Sequence, residues 1–181
     1  MRNDMPKSGS CENEATIDRL CLKRRDVLLA GGATVLLTVA GFPQPLWAST
    51  VGYPRKMLAR VSDLQADDPI SIAYPDEESP CMLIKLGVPA GGGIGKDDDI
   101  VAFSTLCTHM GAVMDGTYSA KHKCLGPCPL HLTRFDLTRH GIIVVGHATE
   151  SLPQILLEIE GDNIFGVGMI GLIYGRASNL G

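Results

Sequence analysis

Two short segments of this chain carry residue types that bind transition metals. The first is Cys107-Thr108-His109, and the second, after 18 intervening residues, is Cys128-Pro129-Leu130-His131. Each segment offers one thiolate and one imidazole. Together they match a [2Fe–2S] cluster in which one iron takes two Cys and the other takes two His. We therefore predict that Cys107, His109, Cys128 and His131 hold a [2Fe–2S] cluster that carries electrons.

A tetrahedral zinc site uses the same ligands and is the main alternative. Zinc ligands are usually spaced as C-x₂₋₄-C and H-x₃₋₅-H, so that like residues stay together. In this chain each segment combines one Cys with one His. The spacing favours the cluster, and a zinc-stabilised binding module without a redox role is the alternative.

Composition limits the class of protein. The chain has 181 residues, of which 45% are hydrophobic, which predicts one domain with its own core, or one such domain plus an extension. A net charge of −4 argues against a nucleic-acid partner. Only 5% of residues are aromatic, whereas 21 are Gly and 11 are Pro, which is typical of a β protein with many loops.

Short runs rich in Val, Ile and Leu, bounded by Gly, Pro or Asp, predict β-strands. They lie at residues 57–64, 81–87, 100–104, 141–146, 154–160 and 163–167. Residues 160–163, Glu-Gly-Asp-Asn, predict a hairpin turn between the last two strands. We expect an all-β fold, an antiparallel sandwich or barrel, with the metal-binding segments on loops 107–112 and 126–133.

The N-terminal segment predicts export. Residues 23–25, Lys-Arg-Arg, precede an apolar run over 27–42 and a cleavage site at residues 46–48, Leu-Trp-Ala. We interpret residues 1–48 as a twin-arginine signal peptide and residues 49–181 as the exported domain, placed in the periplasm. The twin-arginine route carries folded proteins, which suits a domain that receives its cluster before crossing the membrane. An uncleaved signal that leaves the protein membrane-associated is the alternative.

Two further cysteines in the exported domain have no assigned role. Cys81 and Cys124 are free to form a disulfide in an oxidising compartment, although sequence alone does not place them near each other. Cys124 also competes with Cys128 as a ligand. We prefer Cys128 because it lies three residues before His131, in a Gly-Pro-Cys-Pro loop.

The stretches CTHMG and CPLH, in a small β domain, resemble the Rieske iron–sulfur family. The resemblance implies a base of antiparallel sheets with a small inserted cluster-binding subdomain, at about residues 105–136. It also implies one Rieske-type [2Fe–2S] cluster per chain. Longer stretches resemble the small subunit of arsenite oxidase and cover most of residues 90–177: GGGIGKDDDIVAFSTLCTHMG, GPCPLHLTRFD, GHATESLPQ and GLIYGRASN.

The finer resemblance implies a function and partners. In arsenite oxidase the Rieske subunit is not catalytic; it binds a large molybdopterin subunit that oxidises arsenite to arsenate, and passes the electrons to a soluble cytochrome c or copper protein. The alternative within the family is the Rieske subunit of a quinol-oxidising cytochrome complex. A Rieske oxygenase would need a second iron held by two His and a carboxylate in a large extra domain. The remaining His122, His140 and His147 lack such spacing, and we expect surface or turn residues there.

The chain departs from the respiratory Rieske proteins at several positions. Ala112 and Leu130 stand where those proteins have two Cys that join the loops by a disulfide. Thr133 and Phe135 stand where they have a Ser and a Tyr that donate to cluster sulfurs. Losing a donor lowers the reduction potential, so we expect a lower value than in the respiratory proteins. Pro153 resembles the proline of the loop that covers the cluster, although Pro is also common where a strand begins.

Overall fold

The computed structural model describes residues 52–180, and the predicted signal peptide lies outside them. Regular structure in this part of the chain is almost entirely β, with one 3₁₀ turn at Val61–Asp63. The strands are β1 (Lys56–Arg60), β2 (Ile70–Ala73), β3 (Pro80–Lys85), β4 (Ile100–Ser104), β5 (Tyr118–Ser119), β6 (Cys124–Leu125), β7 (Arg134–Asp136), β8 (Ile142–Val145), β9 (Gln154–Glu160) and β10 (Asn163–Ile170). No helix among residues 52–180 has the length and apolar character needed to cross a bilayer.

Two antiparallel sheets make up the fold. The larger has six strands in the order β1-β10-β9-β4-β3-β2, and the smaller has four in the order β5-β6-β7-β8. The smaller sheet is inserted between β4 and β9 of the larger one. This arrangement confirms the predicted all-β class with a small inserted subdomain.

Strands β3 and β4 of the large sheet are buried on both faces. Because successive side chains of a strand point to opposite faces, Leu83 of β3 packs in one hydrophobic cluster and its neighbours Met82 and Ile84 pack in another. The second of these clusters also contains Cys107 and Cys128. The cysteines of both metal-binding segments therefore rest on the core between the two sheets.

Strand prediction succeeded where the apolar runs were long. Strands β4 and β9 have the predicted bounds, and the hairpin pairs Asn163 with Glu160 as expected. The predicted strand 57–64 is wrong at its end, because β1 stops at Arg60 and the backbone of Val61 donates to Asp162 O at 2.8 Å in the following turn. Strands β2, β5, β6 and β7 were missed. They have two to four residues each, too few to show an alternating pattern.

Candidate metal centre

The first metal-binding loop, residues 107–112, is called here the first arm. It follows β4 and closes on itself, because Cys107 N donates to Ala112 O and Gly111 N donates to Cys107 O, each at 2.8 Å. Gly111 has a φ of 69°, a left-handed conformation that suits glycine. The hydroxyl of Thr108 donates to Glu150 O at 2.7 Å and ties the arm to the segment before β9.

The second arm, residues 128–133, repeats this backbone pattern between β6 and β7. Cys128 N donates to Thr133 O at 2.8 Å, and Leu132 N donates to Cys128 O at 2.9 Å. Leu132 occupies the position of Gly111 and has a φ of 61°. Each arm is thus a tight loop with its cysteine at the base and its histidine near the tip.

The two thiols meet in the core. Cys107 and Cys128 are each 1% exposed and lie within hydrogen-bonding reach of each other. Burial raises the pKa of Cys107. Burial also opposes ionisation of Cys128, but the backbone N–H groups of His131 and Leu130 outweigh it and hold its pKa below the ordinary value. This peptide environment favours a thiolate, the form of cysteine that binds iron.

The two imidazoles meet on the outer side of the thiols. The ring centroids of His109 and His131 are 4.8 Å apart, with the rings nearly perpendicular. Nδ1 of His109 is buried and has no hydrogen-bond partner, a costly state for a nitrogen unless a metal binds it. A thiol pair beside an imidazole pair fits a [2Fe–2S] cluster ligated by two Cys on one iron and two His on the other, which supplies one-electron transfer when bound.

A third histidine, His147, stands beside the two imidazoles. Its ring centroid is 5.7 Å from that of His109 and 6.2 Å from that of His131. As the sequence predicts, His122, His140 and His147 are all exposed in turns or bends. The proximity of His147 to the arms was missed, because it depends on how the β8–β9 connection folds back and has no spacing signal.

The sequence predicts three further residues near the cluster, Thr133, Phe135 and Pro153. Thr133 is fully buried, and its hydroxyl oxygen accepts from His147 N at 3.2 Å, which leaves the hydroxyl proton to donate elsewhere. Phe135 is fully buried in the same core cluster as the two thiols. Pro153 is buried immediately before β9, where its carbonyl accepts from Ser104 N at 2.9 Å.

The two other cysteines among residues 52–180 are free and buried. Cys81 donates to Tyr74 O at 3.4 Å, and burial raises its pKa to about 12. Cys124 donates to His122 O at 3.1 Å, and burial raises its pKa as well. Each thiol is thus engaged with a backbone carbonyl, and no disulfide joins them.

Comparison with known proteins places this geometry in a family. A Rieske [2Fe–2S] domain model matches residues 55–155. The chain is 52% identical to iodate reductase subunit IdrB of Pseudomonas sp. (strain SCT), over 91% of this chain and 88% of that protein. It is 53% identical to iodate reductase subunit IdrB of Denitromonas iodatirespirans, over 90% of this chain and 89% of that protein.

A solved structure shows the same fold. The soluble domain of Rieske protein II from Sulfolobus acidocaldarius aligns with a TM-score of 0.63 and 23% identity, over 71% of this chain and 84% of that chain. At this identity the likeness concerns the fold alone. Together with the family match, it leads to one conclusion: the chain belongs to the Rieske [2Fe–2S] family, and its cofactor is a Rieske-type [2Fe–2S] cluster.

Proposed function

We propose that this chain is the non-catalytic electron-transfer subunit of a molybdopterin-containing oxidoreductase. The observation that carries the electron-transfer role is the pair of imidazoles, His109 and His131, whose ring centroids lie 4.8 Å apart at the outer end of the arms, with a buried, unpaired Nδ1 on His109. In this assignment Cys107 and Cys128 bind one iron, and the two histidines bind the other. The cluster would then exchange electrons with other proteins through its histidine side.

The surroundings of the histidines support exchange by contact with a protein partner. His131 is exposed. Around it, Met110, Leu130 and Leu132 have 54%, 56% and 66% of their surface exposed. Large apolar side chains at the tips of two loops favour docking against a protein surface, because docking removes them from water.

The relatives support the proposed partner, a large molybdopterin subunit. Two iodate reductase subunits match nearly the whole chain, which favours a complex that delivers electrons to iodate. The stretches that resemble the arsenite oxidase small subunit favour the reverse direction, in which arsenite is oxidised to arsenate and a soluble cytochrome c or copper protein takes the electrons. We place the iodate reductase type first, because its support extends over about nine tenths of the chain, and keep arsenite oxidation as the second candidate.

The cluster itself can report the direction of electron flow. The chain would be purified with its native partner, and the EPR signal of the reduced Rieske cluster would be followed. In an iodate-reducing complex, iodate removes the signal from the reduced protein. In an arsenite-oxidising complex, arsenite generates the signal in the oxidised protein. The large subunit should be identified by its mass and its molybdopterin content.

Two results would overturn the proposal. A purified chain that contains zinc and lacks the EPR signal would support the binding module instead. Copurification with a quinol-oxidising cytochrome complex would support the alternative within the family. Omitting the large subunit is the control, because neither oxyanion should then change the redox state of the cluster.

We also propose that the protein is exported to the periplasm by the twin-arginine route. The support is the sequence of residues 23–48, which lies outside the described part of the chain. Replacing Arg24 and Arg25 by Lys should retain the protein in the cytoplasm. Fractionation of cells expressing each form would check this, and an unchanged distribution would contradict the proposed route.

A further inference from the structure

The aromatic ring of Tyr174 lies directly against the first arm. A Cβ atom placed on Gly111 would come within 2.7 Å of Tyr174 Cε1 and still closer to Cδ1. Real Cβ atoms do not approach neighbours so closely, so the ring and the glycine backbone are in direct contact. Gly111 lies two residues after the proposed ligand His109, within the loop closed by the Cys107 backbone bonds. The ring therefore rests on the part of the arm that sets the direction of His109.

The segment that carries Tyr174 is fixed on both sides of the ring. Ile173 is 1% exposed in the core of the large sheet, and its N–H donates to Asn179 Oδ1 at 2.9 Å. Asn179 is itself 5% exposed, and its amide donates to Gly171 O at 2.8 Å and to Tyr53 Oη at 3.0 Å. Such a buried and satisfied amide holds a loop in one conformation.

An ion pair also anchors this segment. Arg176 donates two hydrogen bonds to Asp76, at 2.5 and 2.9 Å, in a bidentate pair. These bonds lower the pKa of Asp76 to about 2. Bidentate guanidinium–carboxylate pairs fix geometry as well as supply energy. Tyr174 thus projects from a segment held by Asn179 and by Arg176.

The arms themselves lack a covalent link. The described cysteines are all free, and residues 112 and 130 are Ala and Leu. The contacts of the first arm with the rest of the fold include the Thr108–Glu150 hydrogen bond and the Tyr174 ring. An exposed loop that must keep a ligand nitrogen aimed at iron needs such support.

We propose that Tyr174 is a positioning residue that braces the first arm and thereby keeps His109 in place to bind the cluster. This inference rests on the proposed ligand role of His109. The ring acts through its edge, because its carbons Cδ1 and Cε1 are the atoms that face Gly111. Residues 171–180, which the sequence marks only by the stretch GLIYGRASN, are therefore part of the cluster site.

The test uses the full, cluster-loaded chain and the variants Tyr174→Ala and Tyr174→Phe. With a chelator present, we expect Tyr174→Ala to lose its visible cluster absorption about tenfold faster than wild type, the scale of an outer-shell loss at metal sites. Tyr174→Phe keeps the ring and should stay close to the wild-type rate. Leu172→Ala is the matched control, since Leu172 lies in the same segment and is 45% exposed against 43% for Tyr174.

Hydrogen exchange separates a local brace from general loss of stability. In Tyr174→Ala, deuterium uptake should rise at residues 107–112 and stay unchanged at residues 128–133, whereas global loosening would raise both. If Tyr174→Ala does not yield folded protein, Asp76→Asn decides, because it loosens the segment without touching the arm. It should show the same selective rise at a smaller size.

Three contrary results would each contradict a different part of the proposal. Unchanged cluster loss and unchanged uptake in Tyr174→Ala would overturn the brace, including the case in which Tyr174 serves only to contact a partner protein. A Tyr174→Phe variant as labile as Tyr174→Ala would overturn the role of the ring. Absence of any Rieske signal in wild type would overturn the proposed function instead, while uptake at the first arm would still test the brace.

Discussion

The two arms of the cluster site have the same backbone path but rest on different parts of the fold. In both, the cysteine N–H bonds to the carbonyl five residues later, and the fourth residue after the cysteine is left-handed. The first arm has Gly111 there and packs against Tyr174 of the C-terminal segment. The second has Leu132 there, 66% exposed. The two loops thus share one backbone conformation, while the residues that support each loop differ.

Behind each arm, an ion pair joins the segment that supports the arm to a carboxylate in a loop between strands of the large sheet. Behind the first arm, Arg176 binds Asp76. The second arm connects β6 and β7 of the small sheet. Beside it, Lys123 donates to Asp67 at 2.7 and 2.8 Å, and Tyr118 donates to the same carboxylate at 2.5 Å. Tyr118 pairs with Leu125, just before the second arm. The two arms are thus supported by two separate ion pairs, Arg176–Asp76 and Lys123–Asp67, called here the two anchors. Variants can test the anchors one at a time.

The largest expected effect is loss of a ligand. His109→Ala and His131→Ala should each abolish the Rieske EPR signal, because an iron would lack one of its two nitrogen ligands. His147→Ala is the matched control: its ring lies within 5.7 and 6.2 Å of the other two, and its loss should leave the signal in place. Iron content and EPR of the purified variants check this. A full signal in His131→Ala would refute the ligand assignment.

The meeting of these four side chains could be predicted from sequence because each arm places its Cys and His within four residues, and loop geometry is local. The contacts that support the arms could not be predicted from sequence. Gly111 and Tyr174, or Asp67 and Lys123, are far apart in the chain, and nothing in the local pattern of either partner indicates the other. The small sheet was not fully predicted for a different reason. Strands β5 and β6 have two residues each, too few to show an alternation of apolar and polar residues.

The second prediction compares the left-handed positions of the arms. Gly111→Ala should destabilise the protein by on the order of 2 kcal/mol, since a side chain at positive φ costs about 1–2 kcal/mol and the methyl group also meets the Tyr174 ring. Leu132→Gly removes such strain but adds flexibility to the unfolded chain, costing about 0.5–1 kcal/mol, so stability should hold or rise slightly.

Urea unfolding of the two cluster-loaded variants measures the difference. The midpoint should fall clearly for Gly111→Ala and stay level or rise for Leu132→Gly. Equal losses in both variants would mean that the arms are supported alike, which would contradict the comparison.

The third prediction concerns Thr133, the last residue of the second arm. Its hydroxyl oxygen already accepts from His147 N, so its proton is available for a cluster sulfur. Thr133→Ala removes this donor and should lower the reduction potential by tens of millivolts, the equivalent of a hydrogen bond of about 1 kcal/mol. Thr133→Ser retains the hydroxyl and should restore the potential. Phe135→Tyr adds a donor in the buried core and should raise it.

Protein-film voltammetry of these variants provides the measurement. The loss in Thr133→Ala should appear without any change in the spectrum of the first arm's ligands. A potential that is the same in the Ala, Ser and Tyr variants would mean that residues 133 and 135 do not act on the cluster sulfurs.

The smallest effect concerns the two anchors in acid. Hydrogen bonds from Arg176 lower the pKa of Asp76 to about 2, and hydrogen bonds from Lys123 and Tyr118 hold the pKa of Asp67 below its ordinary value. A carboxylate whose pKa is lowered by folding adds stability above its unfolded pKa, near 3.9, and loses it as pH falls through the folded value. Both anchors should therefore weaken below about pH 4, and both are partly exposed, so solvent screening keeps the effect small.

Asp76→Asn and Asp67→Asn should each flatten the fall in unfolding free energy between pH 5 and the acid limit. Hydrogen exchange should rise at the first arm in Asp76→Asn and at the second arm in Asp67→Asn. A pH dependence unchanged from wild type in both variants, or exchange that rises equally at both arms, would show that the anchors do not serve the arms separately.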